Sequence, residues 1–230
     1  NGVNLSGGQL TVGTGVTIGI AGIATFRKGR IDVSDSLNNT SIGAGAGDAF
    51  TTGTNNAALG KDALTAATTG GANVAVGSYA LDATTTGNYN VAAGQNALGG
   101  NTTGSNNVAI GKDALLGNTT SSGAVAVGNY SLKSNTTGYN VVAFGYEALE
   151  ENTTGANNTA LGHMTLALNT TGGNNTAVGK GALDVNTTGN NNTAVGYDAM
   201  DANTTADSNS AFGFASLGGH TTGANNTAVG

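Results

Sequence analysis

The sequence predicts an all-β protein, a parallel β-solenoid or β-roll of 17-residue coils. Three observations predict it. Glycine recurs every seventeen residues without slip, at Gly43, Gly60, Gly77, Gly94, Gly111, Gly128, Gly145, Gly162, Gly179, Gly196, Gly213 and Gly230. The same apolar and polar residue types return in the same columns between those glycines. Seventeen residues is too short for a helix-pair repeat and suits one turn of a stack of short strands.

Each column has a physical reading when the periodic glycine is numbered 0. Position −2 is alanine in every unit except the first, which has Ser41, and −1 is always apolar, as in Ile110, Val127 and Phe144. Position −3 is β-branched or small, as in Val74, Val108 and Thr193. This triplet alternates with period two and reads as a short strand. Position −4 is Asn except at Ala124 and Val141, and +4 is leucine apart from Gly47 and Met200. The x-Ala-Leu segment ending at +4 reads as a second short strand. Thr-Thr stands at +8 and +9 in every complete coil, followed by glycine at +10, replaced only by Ser121 and Ala206. The glycines at 0 and +10 mark two corners, where positive φ or a close backbone approach is expected. Stacking at the ~4.8 Å interstrand spacing makes twelve coils a rod of about 55 Å.

Stacked coils place like residues above one another. The Asn columns are therefore expected to form side-chain amide ladders, and the threonine hydroxyls to satisfy backbone groups at a corner. Disorder is disfavoured, although Gly, Thr, Asn and Ser dominate. Charge is low, and the apolar columns never lose register.

Composition excludes several function classes. The chain has 230 residues, 40 of them glycine, with no proline, cysteine or tryptophan. Large side chains are scarce, so the core must be thin. Disulfides and thiolate metal sites are ruled out. The formal net charge is −6, and no basic run exists to grip nucleic acid. No apolar stretch approaches the ~20 residues of a membrane span. Residues 1–37 fall outside the repeat and read as a β-structured lead-in, with the basic cluster Arg27, Lys28 and Arg30 as a solvated or interchain surface. Residues 38–230 form the repeat. Lacking an initiator methionine and ending in mid-repeat, the chain is expected to be a segment of a longer polypeptide.

A single coil supplies one leucine, one valine-type residue and one or two alanines. That burial is small beside ~1–2 kcal/mol of backbone entropy per residue. Several chains are therefore expected to associate as an intertwined or side-by-side parallel homotrimer. In one facing, −1 and −3 point inward with the +4 leucine, leaving an alanine stripe outside for a neighbouring chain. The opposite facing, with alanine inside and valine at the chain interface, leads to the same association, and the sequence leaves both open.

Three resemblances bear on this. The segment Ser105-Asn106-Asn107-Val108-Ala109-Ile110-Gly111 resembles the signature of trimeric autotransporter adhesin heads. Those heads are left-handed parallel β-rolls that assemble as trimers, with a repeat usually shorter than seventeen. The longer pattern, as in Asn152-Thr153-Thr154-Gly155-Ala156-Asn157-Asn158-Thr159-Ala160-Leu161-Gly162, is similar to repeats of phage tail-fibre proteins. The stretch Gly15–Phe26 resembles segments of structural proteins from marine, cyanophage-like tailed phages. The repeat resemblance covers residues 38–230. It implies a virion or an extracellular, cell-surface location, a partner in further copies of the chain, and contacts with other virion or surface proteins through flanking segments. A host-surface glycan is a further partner in keeping with it.

Candidate chemistry is sparse. Asp184 and Asp201 occupy +5 of successive coils, at about the ~5 Å spacing of a retaining glycosidase pair. The same column also holds Asp82, Lys133, Glu150, Thr65 and Ala167, as an exposed position would. His163 and His220 are lone histidines without ligand spacing. The glycine segments lack the Gly-Lys-Ser/Thr of a phosphate loop. Tyr79, Tyr130, Tyr146, Tyr197 and Phe214 fall at +1 and +2 and read as surface or interchain packing rather than a sugar platform. The seven Asn-Thr-Thr sites, such as Asn118 and Asn169, match glycosylation sequons. Ice binding by threonine arrays is disfavoured, because adjacent strand threonines face opposite sides and only one rank faces out. No catalytic residue, cofactor or metal is expected. The leading expectation is the structural shaft of a phage tail fibre, which spaces a distal receptor-binding tip from the particle for host attachment. The alternative is the rod of a bacterial trimeric surface adhesin, with an ice-binding solenoid more distant.

Overall fold

The computed structural model describes residues 36–219 and 221–230. The expected lead-in, its basic cluster and His220 therefore lie outside the described residues, apart from the last two residues of that lead-in. The remainder is a parallel β-solenoid. Twelve three-residue strands, from β1 (Thr40–Ile42) and β2 (Ala57–Leu59) through β7 (Val142–Phe144) to β12 (Thr227–Val229), form one sheet in sequence order. Every strand pairs in parallel with the next in a constant register, as in Ala143 opposite Ala160 and Ala194 opposite Ala211. Each coil thus advances by one strand spacing, and the described chain makes about eleven turns without a helix.

The facing of the strand, which the sequence leaves open, is decided by the structure. Alanine at −2 points inward, and the residues at −3 and −1 point outward: Val74-Ala75-Val76 runs exposed, buried, exposed. From Ala75 to Ala211 the inward alanines are fully buried. The reason is space. A narrow coil that already holds a leucine accepts a methyl from the facing strand, but not two branched side chains.

The expected second strand is corrected. The x-Ala-Leu segment is a pair of consecutive turns. Ala63 N–H donates to Gly60 O at 3.4 Å, and Ala67 N–H donates to Leu64 O at 3.4 Å. The residues at +2 and +4 take left-handed backbone, for example Asp113 at φ 55° and Leu115 at φ 53°. Ala at +3 and Leu at +4 then both turn inward and are buried in succession, as Ala114 and Leu115 are. A strand would have sent one of the two outside. The left-handed leucine costs about 1–2 kcal/mol. Full burial of its side chain returns about 1.5–3 kcal/mol, so the position keeps leucine rather than glycine.

Corner glycines are needed for contact as well as conformation. Gly111 has φ 133°, and a Cβ placed there would lie 2.5 Å from Gly128 O in the next coil. The turns are also stitched from coil to coil. Asp113 N–H donates back to Gln95 O at 2.9 Å, and Leu115 N–H donates forward to Ser131 O at 3.0 Å. The backbone of the corner is thus paired almost as regularly as that of the sheet, which keeps its buried polar groups satisfied.

Two amide ladders and one hydroxyl rail complete the interior. At −4, Asn56 Oδ1 accepts the Asn73 backbone N–H at 3.0 Å, while Asn56 Nδ2 donates to Gly70 O at 2.9 Å. At +7, Asn152 Nδ2 donates to Asn135 Oδ1 at 2.9 Å, and the same contact repeats in every coil from Asn101 to Asn203. At +8, the threonine hydroxyls from Thr51 to Thr187 donate to the backbone carbonyl of the threonine one coil on, as from Thr153 to Thr170 at 2.9 Å. The expected ladders and corner bonding are present. They explain why these polar columns tolerate so little substitution: from Asn118 to Asn186 at +7, each amide is bonded to the one before and the one after it, while the −4 ladder is interrupted at Ala124 and Val141.

Candidate functional site

Ordered coils leave three surfaces on which function can rest. The first is the outer face of the sheet, built by columns −3 and −1. Its side chains stand out because the strand is extended and its alanine is committed inward. Phe144 is 57 % exposed and Ile42, Leu59 and Phe212 are exposed beside smaller neighbours. Neither column holds a charged residue anywhere from Thr40 to Val229.

The second surface is the edge formed by +1 and +2, joined by Lys133 from +5. It collects all four lysines among the described residues. Lys61 Nζ lies 5.0 Å from the Tyr79 ring centre and donates to the Tyr79 hydroxyl at 2.7 Å. Lys112 and Lys133 flank the Tyr130 ring at 5.4 and 5.3 Å, and Lys180 lies 5.2 Å from that of Tyr197. Tyr130 meets Tyr146 edge-on at 5.9 Å, Tyr146 stacks on His163 at 5.3 Å, and Tyr197 stacks on Phe214 at 5.4 Å. Successive coils therefore use one another's rings, and these aromatics pack within the chain along the edge. Hydrogen bonding to Tyr79 and to Tyr130 raises the ammonium groups of Lys61 and Lys112 above their usual range. Lys133 is raised chiefly by Glu150, which its Nζ meets at 3.1 Å.

The third is the carboxylate column at +5. Burial raises Asp184 above the usual carboxylate range, with Asp198 and Asp201 adding like-charge repulsion. Asp184 Oδ1 is buried without a hydrogen-bond partner. Burial raises Asp82 in the same way, against two backbone hydrogen bonds that lower it. No cavity surrounds the pair among the described residues.

The remaining candidates resolve as parts of the scaffold. His163 is a ring partner of Tyr146, and the described residues contain no cluster of three His, Cys, Asp or Glu with metal-site geometry. The seven Asn-Thr-Thr asparagines are the +7 ladder. All are fully buried, and their Nδ2 groups donate to the +10 carbonyl, as from Asn118 to Ser121 O at 3.2 Å and from Asn169 to Gly172 O at 3.0 Å. The folded solenoid therefore offers none of them to a glycosyltransferase. Thr-Thr pairs split as the sequence implied. The +8 hydroxyls are spent on the rail, and the +9 rank stands exposed in single file along a corner. The periodic glycines from Gly60 to Gly213 all carry positive φ and hold the coil contact.

What the sequence left open is the uncharged outer face, given there only as the opposite facing. Its signal was present in the absence of charge from both columns, but the face could not be assigned until alanine was seen to point inward. No helix among the described residues is long and apolar enough to cross a membrane. Scans of protein-family models, curated proteins and solved structures find nothing that matches this chain.

Proposed function

We propose that the chain is a structural shaft: part of a phage tail fibre or a similar virion appendage, in which parallel copies associate as a homotrimer and space a distal receptor-binding tip from the particle. The observation that carries the reading is the unbroken one-coil register over twelve strands, with buried amides and hydroxyls spent on bonds along the axis. Such bonding resists bending and local opening, which suits a part that transmits position rather than one that closes on a substrate. The tail-fibre-like repeat at Asn152–Gly162 supports the virion assignment, and receptor or glycan contact falls to the tip.

Electron microscopy of virions labelled with gold-coupled antibody to residues 36–230 tests the reading. Label along thin projections from the tail supports it. Label confined to a cell surface overturns it in favour of an adhesin rod.

A further inference from the structure

The bonds that run along the axis are not uniform from coil to coil. At −4, the backbone N–H from Asn56 to Ala124 donates to the Asn Oδ1 one coil back, at 2.9 to 3.0 Å. The pattern holds again from Asn175 to Asn226, at 2.9 Å. Val141 and Asn158 stand between the two runs. Ala124 and Val141 have no side-chain oxygen to offer them, so the N–H groups of Val141 and Asn158 find no acceptor. Both residues are fully buried. Buried donors without partners are rare in folded proteins and costly.

A second rail lapses in the same coils. At +11, backbone N–H groups donate to side chains one coil on: Gly71 to Asn88 Oδ1 at 2.8 Å, Asn88 to Ser105 Oγ at 3.0 Å and Ser105 to Ser122 Oγ at 3.0 Å. The next two positions are Tyr139 and Ala156, and the rail resumes only with Gly173, which donates to Asn190 Oδ1 at 2.8 Å. One neighbouring change is a partial replacement. Ser121 stands where most coils carry glycine, and its hydroxyl donates to Gly138 O. That carbonyl is the one an asparagine amide at 124 would reach, as Asn73 Nδ2 reaches Gly87 O at 2.9 Å. Ser121 thus supplies the donor half of the lost amide and leaves the acceptor half missing.

We infer that the coils from Ala124 to Asn158 form a built-in yielding joint, where the −4 corner parts before that of any other internal coil. In the closed joint the two N–H groups are dry and unbonded. Parting the corner brings water to both, so opening there recovers solvation that opening elsewhere does not. The rest of the frame holds. The +7 amides and +8 hydroxyls bond through these coils without a gap. The strands β6 (Val125–Val127), β7 and β8 (Thr159–Leu161) keep the common register. One corner therefore gaps while its neighbours stay fastened, which is the behaviour of a flexure rather than of a break. The coils on either side keep full rails and stay stiff, so side load is taken up at the joint. The joint is a property of the coil stack and holds whether or not the chain belongs to a virion.

Native-state hydrogen exchange of the full chain, read by NMR, tests this. Val125 N–H donates to Val141 O at 2.8 Å and Val142 N–H to Asn158 O at 2.9 Å, as Val91 N–H does to Asn107 O at 2.9 Å in a coil with intact rails. A uniform stack frays from its ends, so the more central pair should then be at least as well protected as Val91. The joint predicts the reverse, with exchange at Val125 and Val142 about tenfold faster than at Val91, or more. Ser121→Gly, Ala124→Asn and Val141→Asn together rebuild the ladder and should return both amides to the Val91 rate. If that variant does not fold, Asn175→Val makes the converse test. It removes the acceptor of Asn192 N–H, and exchange at Thr176, whose N–H donates to Asn192 O, should rise about tenfold. Equal protection of Val125, Val142 and Val91 in the unsubstituted chain overturns the inference. So does fast exchange that survives the rebuilt ladder, or an unchanged rate at Thr176 in Asn175→Val.

Discussion

In the strand of each coil, residues alternate out, in, out on extended backbone, and the inward residue is alanine. In the corner from 0 to +7 the rhythm is also two residues, set by left-handed φ at +2 and +4, yet Ala +3 and Leu +4 point inward together. The strand is bonded by its ladder and has an uncommitted outer face. The corner carries conformational strain, most of the leucine burial and the tightest coil contacts. The path of each coil is therefore set at the corner, while the outer face of the strand is left exposed.

Breaking the corner should cost most. Gly111→Val places a side chain at φ 133° and drives its Cβ into Gly128 O. Strain of ~1–3 kcal/mol and the backbone clash act together, so the loss should exceed 3 kcal/mol. A urea titration followed by circular dichroism should show it as an early-melting segment around that coil. Gly219→Ala is the contrast, since an added Cβ there meets nothing within 4 Å. Its midpoint should stay within the ±0.5 kcal/mol of an ordinary surface change. Equal effects at the two sites would mean that corner glycines act only through the unfolded chain.

The interior ladder comes next. Asn152→Ala removes the donor to Asn135 Oδ1 and Gly155 O and the acceptor of Asn169 Nδ2. Leaving those buried groups without partners should cost about 3 kcal/mol. Ala67 and Thr84 occupy the same column in the second and third coils. There the column begins: Asn101 Nδ2 donates to Thr84 Oγ1 at 3.2 Å, and no amide stands in the coils beneath. A loss under 0.5 kcal/mol at Asn152 would show that the amides fill space rather than bond.

The repeat, the strand triplet, the parallel stack and the amide ladders were legible because each follows from like residues at a fixed step. Facing was not. Ala75 between Val74 and Val76 satisfies either orientation on hydrophobicity alone, and only coil width decides it. The corner was misread for a related reason. Lys112-Asp113-Ala114-Leu115 looks like an alternating strand if its last two residues are taken separately. The adjacent apolar pair was the available signal against a strand, because two neighbours can turn inward together only where the backbone turns. Asn at +12 carried a separate signal, for left-handed backbone just ahead of the strand. Asn106 and Asn157 have φ 60° and 58°, and asparagine tolerates that region better than most residues.

That tolerance makes the next test small. Ala72 occupies the +12 position at φ 56°, with neither a branched side chain to bury nor a polar one to bond. Ala72→Gly should relieve about 1–2 kcal/mol of left-handed strain. It should lose ~0.4–1 kcal/mol through a freer unfolded chain. The expected net gain is roughly 0.5 kcal/mol, read from the urea midpoint. A loss would mean that the alanine methyl packs on the corner more firmly than its surroundings indicate.

The smallest effect is expected from Asp184, whose carboxyl is raised by burial first and by Asp198 and Asp201 next. A carboxyl raised in the folded state binds its proton more tightly there than in the unfolded chain. Between the two values the folded chain carries the extra proton, so stability falls as pH rises through that window. The favourable contribution is complete below the ordinary aspartate range and lost above the raised value. Asp184→Asn removes both the repulsion and the desolvated charge. It should therefore raise the melting temperature slightly at pH 7 and leave it unchanged near pH 3. Because the group is only half-buried, solvent screens part of the effect, and raising the salt should shrink the contribution of Asp198 and Asp201 before that of burial. A variant that gains as much at pH 3 as at pH 7 would place the benefit in packing at the unbonded Oδ1 rather than in charge.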